Sequence, residues 1–276
     1  MKNFEYFRPE TLREASELLV KYGENARILN GGTDVVIQLN EGHSKPEAVV
    51  DIKGIKELHE LKFDENEGLF VGACVPLNKM GEDDVVYNKF RFLAEAAHSV
   101  GSRPIRNRAT CAGNICNASP LADTATPLLA LDATVLVYGP EGEKEISIHD
   151  FFTWVRQTCL KEGEIVTGIK VPAKEVKGLF QKISRRKEVD LSTVCSTIVR
   201  DGEEFRLAFG SIAPTPLRLR KTEEFLKGKE ITADVVKEAQ ELAVSEISPI
   251  GDARGSREYR IEMVKVLVKR ALNELK

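Results

Sequence analysis

The residues best suited to chemistry in this chain lie in two short glycine-containing stretches, Arg27-Ile28-Leu29-Asn30-Gly31-Gly32-Thr33-Asp34 and Thr110-Cys111-Ala112-Gly113-Asn114-Ile115. Each adjoins an apolar run and sets small residues beside Thr and Asn. Glycine lets backbone N–H groups turn toward a bulky anion with no Cβ in the way. Thr33 and Asp34 open a new apolar segment, so N–H groups at the start of an element face outward, where an anion can be held. Asp34 is placed either to cap that element or to reach a cofactor hydroxyl. One such loop alone reads as a tight turn. Two of them, in a chain with no nucleotide-binding motif of another type, suggest two jaws closing on one diphosphate.

Other chemistries find little support. No Gly-x-Gly-x-x-Gly follows a strand, which argues against Rossmann-type nicotinamide binding. There is no Gly-x4-Gly-Lys-Ser/Thr loop for phosphoryl transfer either. The four histidines, His43, His59, His98 and His149, form no His-x3-His or His-Glu pair and read as surface or core residues. Neither Ser119 nor Cys116 sits in a recognisable nucleophile elbow. The five cysteines, Cys74, Cys111, Cys116, Cys159 and Cys195, are scattered. Cys111 and Cys116 share the Cys-x4-Cys spacing of plant-type ferredoxins but lack the close third cysteine, so buried, reduced thiols are expected, with no cluster or zinc in this chain.

The elements that must position the two loops can be read in turn. Phe4 to Phe7 reads as a strand. Thr11 and Glu14 form a capping-box pattern for a helix carrying Leu12, Ala15, Leu18, Leu19 and Tyr22, and Gly23 stops it. Ala26 to Leu29 is a buried strand running into the first loop, Val35 to Leu39 continues beyond it, and Ala48 to Ile52 and Leu69 to Ala73 are further strands. Phe90 to Val100 has helical spacing and ends at Gly101, before the second loop. A short helix follows Asp123, then strands at Thr134 to Tyr138 and Ile165 to Val171. The polar stretch 172–178 breaks periodicity and marks a domain boundary. Beyond it come strands at about 178–184, 192–200 and 204–212, with Asp201-Gly202 as a hairpin turn and Pro214 and Pro216 ending the sheet. Helices fill about 220–227, 232–246 and 256–274. The fold class is α+β, a larger mixed domain over 1–175 and a small domain of three-stranded antiparallel sheet plus helices over 176–276.

With 276 residues, 42% of them hydrophobic and 30% charged, the chain has the composition of a folded globular protein. A formal net charge of −3 gives no electrostatic reason to expect nucleic acid or an anionic membrane as partner. No apolar run approaches the ~18–20 residues that span a bilayer, and no signal peptide is visible at the start, so a cytoplasmic location is expected. Basic residues cluster at 103–108 and 184–187; each is a solvated face or a contact for a partner or an anionic cofactor.

Several motifs, taken together and in order, carry a family resemblance. Ile-Leu-Asn-Gly-Gly-Thr-Asp (28–34), Ile-Arg-Asn-Arg-Ala-Thr-Cys-Ala-Gly-Asn-Ile (105–115), Ala-Ser-Pro-Leu-Ala-Asp (118–123), Glu164-Ile165-Val166, Phe180-Gln181-Lys182 and the run Phe209 to Arg218 span nearly the whole chain. It resembles the FAD-binding (medium) subunit of the molybdenum hydroxylases, the group of xanthine dehydrogenase, aerobic carbon monoxide dehydrogenase and nicotinate dehydrogenase. The bacterial xanthine dehydrogenase subunit is the nearest likeness.

The resemblance implies a vanillyl-alcohol-oxidase-type FAD-binding domain of two α/β subdomains, followed by a domain of the CO dehydrogenase flavoprotein type that closes over the flavin. It implies that residues 27–34 and 110–114 (Arg27, Ile28, Leu29, Asn30, Gly31, Gly32, Thr33, Asp34; Thr110, Cys111, Ala112, Gly113, Asn114) hold the FAD diphosphate. Asp123 would bond a hydroxyl of the flavin chain. Val166 and Lys182 would lie near the isoalloxazine, Lys182 favouring negative charge on its N1/O2 edge, and Ile165 would be a further cofactor-binding residue. Two positions depart from the family pattern. Ala112 stands where glycine is usual, which works only at a negative φ, and Val100 stands where relatives place an aromatic near the ring. One branch of the family carries an extra [4Fe–4S] cluster in an inserted loop, and no such insertion is visible here.

The expected function is electron transfer within a complex. A molybdopterin-binding large subunit would hydroxylate the substrate, and a small subunit with two [2Fe–2S] clusters would pass electrons singly to FAD, which would hand them on to NAD⁺. The assembly would be a heterotrimer, single or doubled, with no catalytic residue in this chain and the 103–108 turn facing the iron–sulfur partner. A stand-alone flavin-dependent reductase or oxidase of the same fold, another acceptor such as a quinone or ferredoxin-like protein, and a cofactor-free scaffold are the alternatives.

Overall fold

In a computed structural model that describes residues 3–276, the N-terminal elements form where local signals demand them. The Thr11 hydroxyl accepts from the Glu14 N–H at 3.2 Å and caps the helix Leu12–Tyr22, which ends at Gly23 with φ 51°. The Glu14 carboxylate reaches back to the Glu10 N–H rather than to Thr11 itself. That helix covers a three-stranded parallel sheet in the order Glu5–Phe7, Ala48–Asp51, Ala26–Leu29. The apolar run Val35 to Leu39 is a helix, Val35–Glu41, so the first glycine loop joins the carboxyl end of an edge strand to a helix start. In parallel sheets that end is where ligands bind.

A second, antiparallel sheet of five strands runs Leu61–Asp64, Gly68–Gly72, Ile165–Val171, Thr134–Gly139, Gly142–Ser147. Its centre, Ile165–Val171, is buried over most of its length and carries a bulge between Val166 and Gly168. The helix Arg91–Ser99, with Phe92, Leu93, Ala94, Ala96 and Ala97 buried, leads into Val100 and the second loop. The edge strands at Leu61–Asp64 and Gly142–Ser147 are half-exposed and polar, and periodicity gives little sign of either.

The third sheet is antiparallel: Lys177–Ile183, Val194–Asp201, Glu204–Gly210 and Leu217–Arg218. The sequence predicts three strands ending at Pro214. Instead the chain turns through 211–216 and returns, pairing Leu217 with Phe209 and Arg218 with Ala208. The helices Arg220–Leu226, Ala233–Ser245 and Arg257–Leu275 cover one face, giving a second hydrophobic core around Phe209, Leu226, Val264, Leu267 and Leu272. The fold is α+β.

Charged groups tie the third sheet to the rest of the molecule. Arg206 and Arg218, nearly buried, donate to the carbonyls of Ala130 and Leu129 at the end of the helix Ala125–Ala130. Cationic donors there satisfy carbonyls that have no intrahelical partner. Both guanidinium groups also reach Asp132, at 3.2 and 3.0 Å, and His149 Nε2 lies 2.8 Å from the same carboxylate. Burial works against ionisation of Asp132, but the His149 bond and the Arg218 and Arg206 charges outweigh it and hold its pKa at about 2.

A carboxyl depressed in the folded state contributes stability above its unfolded pKa of about 3.9 and loses it as pH falls toward the folded value. Asp132 is 38% exposed, so solvent screening reduces the contribution to about 1–2 kcal/mol. Asp132→Asn is therefore expected to lower neutral-pH stability by that amount and to flatten the loss of stability between about pH 4 and pH 2. Urea melts of both proteins across that range check it, and parallel curves would count against the tie.

Candidate functional site

The two glycine loops meet. Asn30 Nδ2 donates to Thr110 Oγ1 at 3.0 Å and to the Ala73 carbonyl at 2.7 Å. A Cβ on Gly31 would lie 2.1 Å from the Arg108 carbonyl oxygen, so only glycine allows the backbones to approach this closely. Gly32, at φ 80°, takes the left-handed turn that swings the chain into Val35–Glu41. The first loop is braced from beneath, where Lys53 Nζ donates to the Asn30 carbonyl at 3.0 Å and pairs with Asp51, which also accepts from Tyr6. Burial disfavours the Asp51 carboxylate, but the Lys53 and Tyr6 bonds prevail and keep it below the usual carboxylate range.

The meeting point opens into a cavity of about 720 Å³, within the size range of small-molecule and cofactor sites. Of the residues singled out from sequence, Arg27, Ile28, Asn30, Gly31, Gly32, Thr33, Asp34, Val100, Thr110, Ala112, Gly113, Asn114, Ile165 and Val166 line it. Leu29, Cys111, Asp123 and Lys182 do not. Leu29 packs beneath Gly32, and Cys111 is buried.

Asp123 and Lys182 sit behind the wall made by Ala122 and Val100. Their side chains are 2.7 Å apart, Ser99 and Ser192 donate to the carboxylate, and Lys182 also donates to the Ser99 carbonyl. The structure thus assembles most of the expected site but turns these two charges toward each other.

The wall is rich in unused donors. Among the described residues, the N–H groups of Gly31, Gly32 and Thr33 make no hydrogen bond, and neither do those of Cys111 and Ala112. Thr110 Oγ1 accepts from the Gly113 N–H and from Asn30, which leaves its own proton to donate. Asn114 Oδ1 accepts from Thr124 at 2.6 Å, so Asn114 has its NH₂ left to offer the cavity. Asn30 Oδ1 is buried with no partner, an orphan acceptor that a bound ligand would satisfy. Ala112 does not have a positive φ and belongs to the short helix Cys111–Cys116, so alanine is accommodated there.

Leu19, Ala26, Glu162, Val100 and Ile105 also line the cavity, together with Leu191 and Arg254 from the third-sheet domain. A run of backbone donors in a wall that also presents apolar surface from Leu19, Ala26, Val100, Ile105 and Leu191 suits a diphosphate carrying ring systems, and FAD fits that description.

Several wall residues escaped the sequence reading. Arg156, at φ 61° in the hairpin of Phe152–Trp154 and Gln157–Thr158, bonds Asn117, which in turn donates to Asp34 at 3.0 Å. Arg254 sits in an Asp-Ala-Arg-Gly turn whose only local signal is the turn itself. Cys116, expected to be buried, opens onto the cavity. The basic turn 103–108 is largely occupied with structure. Arg106 donates to Asn78 and to the carbonyls of Val100 and Gly101, and Arg103 pairs with Glu82.

Comparison with known proteins agrees with this geometry. Residues 2–174 match the FAD binding domain in molybdopterin dehydrogenase, and residues 180–275 match the CO dehydrogenase flavoprotein C-terminal domain. The chain is 31% identical to the xanthine dehydrogenase FAD-binding subunit of Escherichia coli O157:H7, over 98% of this chain and 94% of that one. It is 33% identical to the glyceraldehyde dehydrogenase medium chain of Sulfolobus acidocaldarius, over 99% and 98% respectively. Among solved structures, carbon monoxide dehydrogenase from Hydrogenophaga pseudoflava superposes with a TM-score of 0.94 at 31% identity, covering 99% of this chain and 97% of that one.

The fold and site define a flavin-binding oxidoreductase component. The chain belongs to the FAD-binding subunits of the molybdenum hydroxylase family.

Proposed function

We propose that this chain holds FAD between the two glycine loops and works as the electron relay of a heteromeric molybdenum hydroxylase. Electrons would enter singly from the [2Fe–2S] clusters of a small partner and leave in pairs to NAD⁺. The observation that carries the reading is the cavity at the joined loops, with its row of unpaired backbone donors. Bound FAD would supply the exchange between one-electron and two-electron carriers.

The chain's own residues bind and orient. The N–H groups of Gly31, Gly32 and Thr33 and the Thr110 hydroxyl would face diphosphate oxygens, and the Asn114 amide would add a donor. Val100, Ile105, Val166 and Leu191 would offer apolar contact to a ring of the cofactor. Asp123 and Lys182, paired behind Ala122, would place a fixed charge couple near the flavin chain and ring. No residue of the wall is needed to move a proton. The division at 175/176 and an assembly of one large, one small and one FAD subunit, singly or doubled, belong to the same proposal. Among the described residues no helix is long and apolar enough to cross a membrane, and we place the complex in the cytoplasm.

Affinity purification from the native host tests the reading. A yellow complex is expected, with about one FAD per chain, a large partner containing molybdenum and a small one containing iron. A colourless protein that takes up no added FAD would overturn it.

A further inference from the structure

Two left-handed residues that are not glycine meet beside the first glycine loop. The hairpin of Phe152–Trp154 and Gln157–Thr158 turns through Val155 and Arg156, with Trp154 paired to Gln157. Arg156 takes φ 61°, at a turn position where glycine or asparagine is favoured. Its N–H donates to the Ala118 carbonyl at 2.9 Å, and Ala118 itself holds φ 45°. Glycine would close the same turn without strain. Strain of this kind persists where the side chain has a task that glycine cannot perform.

The guanidinium contacts identify that task. Nη1 donates to Asn117 Oδ1, and Asn117 Nδ2 donates to Asp34 Oδ1 at 3.0 Å. Nη1 also lies 3.9 Å from the same Asp34 oxygen. Asp34 directly follows Thr33, so these contacts set Arg156 beside the unused N–H groups of Gly31, Gly32 and Thr33. Asp34 makes no capping bond to the helix it precedes; its carboxylate is taken up by Asn117 and Arg156. Among the described residues, Nε and Nη2 of Arg156 bond nothing, and the half-exposed side chain lines the cavity.

Charge makes this placement matter. A diphosphate held by the loop would be repelled by the neighbouring Asp34 carboxylate. Four cationic side chains line the cavity: Arg27, Arg156, Lys161 and Arg254. Arg27 turns back on the carbonyls of Glu24 and Ala26, and Arg254 pairs with Asp252. Of the four, only Arg156 has polar side-chain contacts into the Gly31–Asp34 loop. A planar guanidinium with free donors matches phosphate oxygens.

We propose that Arg156 is a ligand of the cofactor's diphosphate: it offsets Asp34 and adds a charge-assisted contact to the anion that the backbone N–H groups hold. The strained hairpin turn delivers it there. The inference rests on the FAD reading and supplies the cation of that site.

Arg156→Gly tests it, because a binding role and a structural role predict opposite signs. Glycine relieves the left-handed backbone, so the urea midpoint of the FAD-free full chain should equal or exceed that of wild type. FAD affinity, read by titration of flavin fluorescence, should nevertheless fall about tenfold or more. Added salt should weaken FAD binding more in the wild type than in the variant. Arg156→Lys keeps the charge and should recover part of the affinity. Unchanged FAD affinity in Arg156→Gly, a lower urea midpoint, or a lysine variant no better than the glycine one would overturn the assignment and leave the FAD reading standing. A wild-type chain that takes up no FAD would overturn both.

Discussion

Gly31→Ala should strip the protein of FAD. The added methyl would sit 2.1 Å from the Arg108 carbonyl oxygen and 2.8 Å from its carbon, both backbone atoms. The two loops must therefore separate by on the order of 1 Å, a displacement that can remove a well-aligned hydrogen bond. Charge-assisted bonds to phosphate are worth about 1.5–3 kcal/mol each, so losing two weakens FAD by at least ~100-fold.

Gly32 makes a less direct test, because a Cβ there meets the side-chain tips of Leu29 and Val36, at 3.0 and 3.2 Å, and the main cost is its φ of 80°. FAD titration of the apo-protein followed by flavin fluorescence reads the affinity, and far-UV circular dichroism reports whether the fold survives. Wild-type affinity in a folded Gly31→Ala protein would show that the loops do not act as a clamp.

What the sequence made legible follows from how local each signal is. Gly31-Gly32 and Thr110 to Asn114 announce themselves because glycine and a capping threonine have strong, short-range consequences. Helix Leu12–Tyr22 and the hairpin at Asp201-Gly202 are read for the same reason. Contacts across long separations escape. Nothing near residue 254 foretells that it reaches a cavity built mostly before residue 167, and nothing near Arg156 foretells its bond to Asn117. The return strand Leu217–Arg218 is two residues long, too short for periodicity to register. Lys182 and Asp123 were legible only through resemblance, which located them near the cofactor but could not show that they face each other.

The Asp123–Lys182 pair should carry a large stability effect. Asp123 and Lys182 are 6% and 14% exposed and lie on opposite sides of the junction between the first two sheets and the third. Lys182→Met removes the cation and strands a carboxylate whose remaining donors are the Ser99 and Ser192 hydroxyls. Breaking a buried pair from one side costs about 3–5 kcal/mol, because the surviving charge keeps its desolvation penalty without its partner. The two hydroxyl bonds place this case near the lower end, ~3 kcal/mol.

Removing the charge from both sides is far cheaper, so Asp123→Asn in the Lys182→Met background should recover more than half of the loss. Equilibrium urea unfolding of the two single variants and the double variant gives the coupling directly. Additive losses would mean that the two side chains are merely neighbours. Strong coupling would make the pair the tie that fixes Ser192, and with it Leu191 and the Arg254 turn, over the cavity. The ordering of the third-sheet wall around the cofactor would then depend on an ion pair that touches no part of the cavity surface.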